Sequence, residues 1–160
     1  MVIATSNARN GKAAQGSAYM AFALPDNPLR LRGNHVTASV KDIDRAVKWY
    51  QEVLGFTLAE RGNRGNGMMQ FAELKIPGFG VALVWLRDVP SAPAPAAAPM
   101  NGTGWLHLVF TVPDVALAYR QLKQRGADVY LRPGQPTAPL TAFLLHDSEG
   151  NEIEIMPEPD

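Results

Sequence analysis

Two stretches of the chain carry the same alternation of apolar and polar positions. From His35 to Val40 the residues alternate, and a helical spacing follows at Ile43, Ala46, Val47 and Tyr50. From His107 to Val112 they alternate again, and Val115, Ala118, Tyr119 and Leu122 repeat the helical spacing. Alternation puts every second side chain on one face of a strand, and a three-to-four-residue spacing makes a stripe along a helix. Each stretch therefore predicts a strand followed by an amphipathic helix. At an offset of 72 residues His35 matches His107, Val40 matches Val112, Asp42 matches Asp114, Ile43 matches Val115 and Ala46 matches Ala118. Asp42 and Asp114 stand where a helix N-cap carboxylate accepts orphan backbone N–H groups. Gly55 and Gly126, matched after a one-residue slip, stand where a helix end needs positive φ. Three shorter strands are predicted after each helix, at 56–61, 68–74 and 80–86, then at 128–132, 141–146 and 151–156. One β-α-β-β-β unit is used twice.

A single helix covers one face of a four-stranded sheet, and strand parity says which side chains are left on the other. Val36, Ala38 and Val40 share the helix side, so His35, Thr37 and Ser39 point away. Leu108, Phe110 and Val112 pack inward, so His107, Val109 and Thr111 point away. In the last strand Ile153 and Ile155 pack inward and Glu152, Glu154 and Met156 point away. Two such open faces turned together would line a cavity with His35, His107 and Glu154 on its wall. The predicted fold is α+β, with two tandem modules forming a cupped, barrel-like mixed sheet and the helices outside.

Composition shifts divide the chain. Residues 1–33 read as a leader rich in small residues, mobile or draped over the surface. Residues 34–160 read as one domain, with module one at 34–87, a connector at 88–103 and module two at 104–160. Pro90, Pro93, Pro95 and Pro99 favour an extended connector. The Gly-rich stretch from Arg61 to Gly67 is a hairpin loop and not a phosphate loop, because no helix starts after it.

Lys plus Arg and Asp plus Glu both count 15, without a basic stripe. Nucleic acid and anionic membrane surfaces therefore have no electrostatic support as partners. No apolar run approaches the roughly 20 residues of a membrane helix. The absence of cysteine excludes thiolate ligands and Cys nucleophiles and fits a cytoplasmic protein.

Two imidazoles and a carboxylate are a common ligand set for Fe, Mn, Zn or Ni, so His35, His107 and Glu154 are candidate metal ligands. His146, before the Asp-Ser-Glu-Gly turn, is either a general acid or base at the pocket rim or a surface histidine beside Asp147. Thr37, Trp105, Phe143 and Gln70 are candidates for substrate contact. Trp49, Tyr50 and Trp85 read as packing residues. Asp147, Glu149, Gly150 and Asn151 read as turn chemistry.

The segments His35–Phe56, His107–Val115 and Leu145–Ile155 resemble the vicinal oxygen chelate superfamily. That family includes glyoxalase I, extradiol dioxygenases, fosfomycin-resistance transferases and bleomycin-resistance proteins. The resemblance covers about residues 34–158. It implies a divalent metal held by His35, His107 and Glu154, a small-molecule substrate chelated through neighbouring oxygens, and a homodimer. In glyoxalase I the last strand of module one also supplies a Glu or Gln that moves the substrate proton. The matching residue here is Ala82 or Val84, both apolar, and Gln70 or Glu73 are the nearby substitutes. Ring-cleaving members carry a Tyr ten residues before the ligand Glu, where this chain has Leu144. Two function classes follow: a metal-dependent isomerase, lyase or dioxygenase with Glu154 at its centre, or a non-catalytic antibiotic-binding protein of the bleomycin-resistance kind.

Overall fold

A computed structural model describes residues 33–90, 105–132 and 134–159. Gly33–Asp160 forms a compact unit. Most of the predicted leader and connector lies outside the described residues.

In module one, β1 (His35–Ser39) leads into α1 (Ile43–Glu52), followed by β2 (Thr57–Arg64), β3 (Met69–Ile76) and β4 (Phe79–Leu86). In module two, β5 (Leu108–Val112) leads into α2 (Val115–Gln124), followed by β6 (Asp128–Tyr130), β7 (Phe143–His146) and β8 (Glu152–Pro157). The strand orders are β1-β4-β3-β2 and β5-β8-β7-β6. The first strand of each module runs parallel to its last, and the remaining pairs are antiparallel. The predicted β-α-β-β-β repeat is present. The sheets remain two separate four-stranded sheets and do not close into a barrel.

The helix ends follow from the sequence. The Asp42 carboxylate accepts from Arg45 N at 3.0 Å, and that of Asp114 from Leu117 N at 2.8 Å. Each bond satisfies an N–H that the first helical turn cannot, worth about 1 kcal/mol. At the end of α1, Gly55 takes φ +76°. Gly55 N then closes on Gln51 O and Phe56 N on Tyr50 O, both at 3.1 Å. These bonds satisfy helix-terminal carbonyls and turn the chain into β2. The Gly-rich stretch is shorter as a turn than its composition predicts. β2 runs on to Arg64, and Gly65–Met68 makes the reversal.

The two cores are continuous. The first holds Ile43, Ala46, Val47, Tyr50, Leu74, Val81 and Leu83; the second holds Val115, Leu122, Phe143, Leu145, Ile153 and Ile155. Trp49, Leu54 and Phe110 pack against both, and Val53 at the end of α1 belongs to the second. Phe110 stacks edge-on against Phe56 and Phe79 of module one. The modules thus meet through their helix sides, so α1 serves both cores and is not simply an outer layer.

Polar bonds cross the same seam. The buried Asp147 carboxylate accepts from Tyr50 Oη at 2.9 Å, and also from Glu149 N, Asn151 N and Asn151 Nδ2. Glu149 pairs with Arg45 at 2.6 Å and accepts from Lys41 N, and Arg125 donates to Val53 O at 2.8 Å. The predicted turn chemistry at Asp147 is real, and it also fastens the turn to α1. Burial and the facing carboxylate both push the Tyr50 phenol well above its ordinary range.

Candidate metal centre

Register places the open faces residue by residue. On sheet one, His35 is beside Gly80, Thr37 beside Ala82 and Ser39 beside Val84. Glu73 is paired with Ala82, and Phe71 with Val84. The parallel register makes Ala82 the repeat's equivalent of Glu154: Thr37 pairs with Ala82 as Val109 pairs with Glu154. A carboxylate at the fourth position is therefore replaced by a methyl group. His35 is exposed, with Nδ1 3.2 Å from Asn34 Oδ1. A Cβ on Gly80 would lie 3.2 Å from both the His35 Cβ and Leu74 O, so a larger residue there has to shift the start of β1 slightly.

Sheet two carries far more chemistry. His107 Nε2 is 2.8 Å from Glu154 Oε2, and Arg132 Nη2 is 3.1 Å from the same oxygen. All three side chains are half-buried. One row along, Tyr130 Oη donates to Glu152 Oε1 at 2.5 Å. His146 Nδ1 lies 2.7 Å from Asp128 Oδ2, and its ring stacks on Tyr130 at 4.7 Å between centroids. Desolvation, then the bond to Glu152, raises the Tyr130 phenol above its ordinary range. Tyr130 and Arg132 reach from the β6 side, over β7, to Glu152 and Glu154 on β8. Leu144, which pairs with both Tyr130 and Glu154, is only 4% exposed although no helix among the described residues covers that face.

These placements change several expectations. His107 and Glu154 are together, but His35 is on the other sheet. Among the described residues no group of three His, Asp or Glu could hold a metal ion. The three predicted ligands do not share one wall within a chain, because the modules meet through their helix sides and their open faces do not turn toward each other. Phe143 is a core residue, 1% exposed and stacked on Tyr119; its parity puts it on the helix side with Leu145. Gln70 also falls on the helix side, where it lines a shallow recess with Lys41, Asp42, Ile43, Asp44 and Trp85. Trp85 packs on the first core. Trp105 is 98% exposed just before β5. The partner of His146 is Asp128 and not Asp147, which points into the seam.

Sequence reading missed Asp128, Tyr130 and Arg132. Their spacing of two puts them on one face of β6 and its continuation, so parity was a sufficient signal. The strand is only three residues long, and that weakens any alternation.

The Glyoxalase/Bleomycin resistance protein/Dioxygenase superfamily model matches residues 32–155. The chain is 27% identical over 132 residues to Glyoxylase I 4 of Arabidopsis thaliana, covering 81% of this chain and 72% of that protein. It is also 27% identical to Glutathione transferase FosA of Serratia marcescens, over 76% of this chain and 77% of that one. Among solved structures, a glyoxalase I mutant from Zea mays superposes with a TM-score of 0.63 at 24% identity. That match covers 81% of this chain and 46% of the maize chain, so this protein spans about half its length. A glyoxalase family protein from Bacillus cereus gives a TM-score of 0.62 at 23% identity, with 81% and 95% coverage. With the repeat, the strand order and the family match in agreement, this chain belongs to the Glyoxalase/Bleomycin resistance protein/Dioxygenase superfamily.

Proposed function

We propose that this protein is a metal-dependent enzyme that chelates two neighbouring oxygens of a small substrate. The observation that carries this reading is the His107–Glu154 contact of 2.8 Å on an open sheet face, with His35 at the equivalent position of the other module. Neutral imidazole and carboxylate suit Fe, Mn, Zn or Ni, and the donor set fits such an ion. His107 and Glu154 would hold a divalent ion there, which would supply Lewis acidity to the oxygens of the substrate.

The remaining side chains do the positioning. His107 and Glu154 come from one chain, and we assign the third ligand to His35 of a second copy. Exposed apolar residues on both open faces, Leu86 on β4 and Val109 on β5, favour covering those faces by self-association. In this arrangement Thr37 enters the site beside His35, and Trp105 borders it beside His107. His146 is the proton-handling candidate. An ionised Asp128 only accepts, so Nδ1–H donates to it and Nε2 is left as the basic atom. With Ala82 in place of a ligand carboxylate, Glu73, its cross-strand partner on the open face, is the module-one acid nearest the fourth position.

Two complementary variants test the shared site. His35→Ala and Glu154→Ala should each lose stoichiometric metal in elemental analysis of protein purified without chelator. Mixed in equal amounts after joint unfolding and refolding, they should regain about a quarter of a site per chain, because roughly half of randomly assorted dimers are mixed and one of the two sites in each keeps all three ligands. Metal content unchanged in His35→Ala would refute the site. Oxygen uptake with catechols by iron-loaded protein separates dioxygenase from isomerase or lyase chemistry, which hemithioacetals probe.

The apolar fourth position favours a second reading, a binding protein of the bleomycin-resistance kind. Tight drug binding by metal-free protein, with no turnover of either substrate class, would establish it. As to compartment, we assign the protein to the cytoplasm; no helix among the described residues is long and apolar enough to cross a membrane.

A further inference from the structure

Sheet one runs one row beyond the helix that covers it. Ala72, Leu74, Val81 and Leu83 are buried under α1. In the next row Gln70 and Trp85 pair across β3 and β4 on the same side, level with the start of α1. With Lys41, Asp42, Ile43 and Asp44 they line a recess of about 250 Å³. The other module supplies the control. Its counterpart of Trp85 is Pro157, and β7 begins too late, at Phe143, to provide a counterpart of Gln70. Module two packs its core without an indole or an amide at that level, so the repeat does not require them there.

The wall of the recess is held in place. Lys41 N donates to Glu149 at 3.1 Å. Asp42 Oδ1 accepts from Arg45 N at 3.0 Å, and Asp44 Oδ1 pairs with Arg61 at 2.6 Å. Each carboxylate is fixed through one oxygen and has a second to offer as an acceptor. The charges of Lys41 and Arg61 balance those of Asp42 and Asp44, so the recess favours neither an anion nor a cation. Trp85 packs on the first core and contributes a flat apolar surface. Around it stand two carboxylates that accept, an ammonium that donates and an amide that does both. The edge of a nucleobase has too few donors for two carboxylates. Neighbouring hydroxyls on a ring each donate one bond and accept another, and the C–H face of such a ring matches an indole.

We propose that this recess binds a neutral sugar residue, with its C–H face on Trp85 and its hydroxyls on Asp42, Asp44, Lys41 and Gln70. The site is on the helix side of sheet one, apart from the open face that carries His107 and Glu154, and it needs no metal ion.

The test uses full-length, metal-free protein and the methyl glycosides of glucose, galactose, mannose and N-acetylglucosamine. Saturation-transfer NMR measures affinity, and tryptophan fluorescence locates the ligand. At least one glycoside is expected to bind with a Kd on the order of 1 mM, the range of a small open site. Trp85→Phe should still bind it in the NMR experiment but lose the fluorescence change. Gln70→Ala and Asp44→Asn, both outside the core, should each bind about tenfold more weakly, as for loss of a hydrogen bond. Glu154→Ala should bind like the wild type. Absence of saturable binding of all four glycosides overturns the proposal, as does wild-type affinity in Gln70→Ala and Asp44→Asn. A fluorescence change that survives in Trp85→Phe, or loss of binding in Glu154→Ala, places the sugar elsewhere and overturns it too. Tighter binding of glucuronate or glucosamine than of glucose overturns the neutral class.

Discussion

The two modules agree on their helix sides and part company on their open faces. On the helix side Val81 and Leu83 of β4 match Ile153 and Ile155 of β8, and none is more than 3% exposed. On the open face Gly80 and Ala82 stand where Glu152 and Glu154 stand in module two. The histidine alone is kept, as His35 and His107. A duplicated fold must preserve the volume that fills its core, because each module needs the same packing to be stable. Nothing of that kind constrains the open face. There β4 of module one presents only Gly80 and Ala82 at these two positions, whereas module two has gathered His107, Arg132, Tyr130, Glu152, His146 and Asp128 around Glu154.

The sharpest challenge to this contrast is on the shared side. Leu83→Ala and Ile155→Ala should each cost about 2–5 kcal/mol in urea unfolding, with similar values in the two modules. A cost confined to one module would mean that the cores are not equivalent. Phe143→Ala should cost about 3–5 kcal/mol and act through stability alone, which separates a core ring from a pocket ring. On the open faces, Glu154→Ala should lower metal affinity at least about a hundredfold, roughly 2.8 kcal/mol, while leaving the unfolding midpoint nearly unchanged. Gly80→Ala should shift the start of β1, and His35 with it, and weaken metal binding by about tenfold, read by the same metal titration. Ala82→Glu tests the missing acid. It should tighten metal binding, at a cost of about 0.2–1 kcal/mol in stability from the like charge of Glu73 across the strand pair.

A pH scan probes the seam between the modules. Below about pH 10 both folded and unfolded chains keep the Tyr50 proton, and its contribution to stability is complete. Above that, the unfolded chain releases the proton while the folded chain retains it, so stability falls as pH rises. Tyr130, also raised, acts in the same direction. Tyr50→Phe should remove its own part of this alkaline slope, leaving that of Tyr130, and cost about 1.5–3 kcal/mol at neutral pH, the value of a hydrogen bond to a charged acceptor.

Much of this architecture is legible in the sequence. Two capping aspartates, two apolar stripes and two alternating strands specify the repeat, because periodicity follows from local geometry. Parity likewise places Glu154, His107 and Thr37 on open faces. How the modules dock is not legible. Docking depends on Phe110, Trp49 and Val53 filling a shared seam, and their hydrophobic character alone gives no direction. That is why His35 reads as a neighbour of His107 in sequence and is not one within the chain. Phe143 and Gln70 fail for a simpler reason, a parity of one residue that turns them toward the helices. The Asp128–His146 contact depends on the β6–β7 register, which a three-residue strand does not announce.

The turn that Asp147 builds has a consequence beyond holding the modules together. It ends one residue before β8, the strand that carries Glu154, and Tyr50 reaches it from the last turn of α1. The helix of one repeat thereby acts as the datum from which the Glu154 strand of the other repeat is measured. The two copies could drift freely on their surfaces after duplication, but not in that helix. A shift of α1 in module one would be felt as a misplaced carboxylate in module two, so inheritance of the site is tied to both halves of the gene.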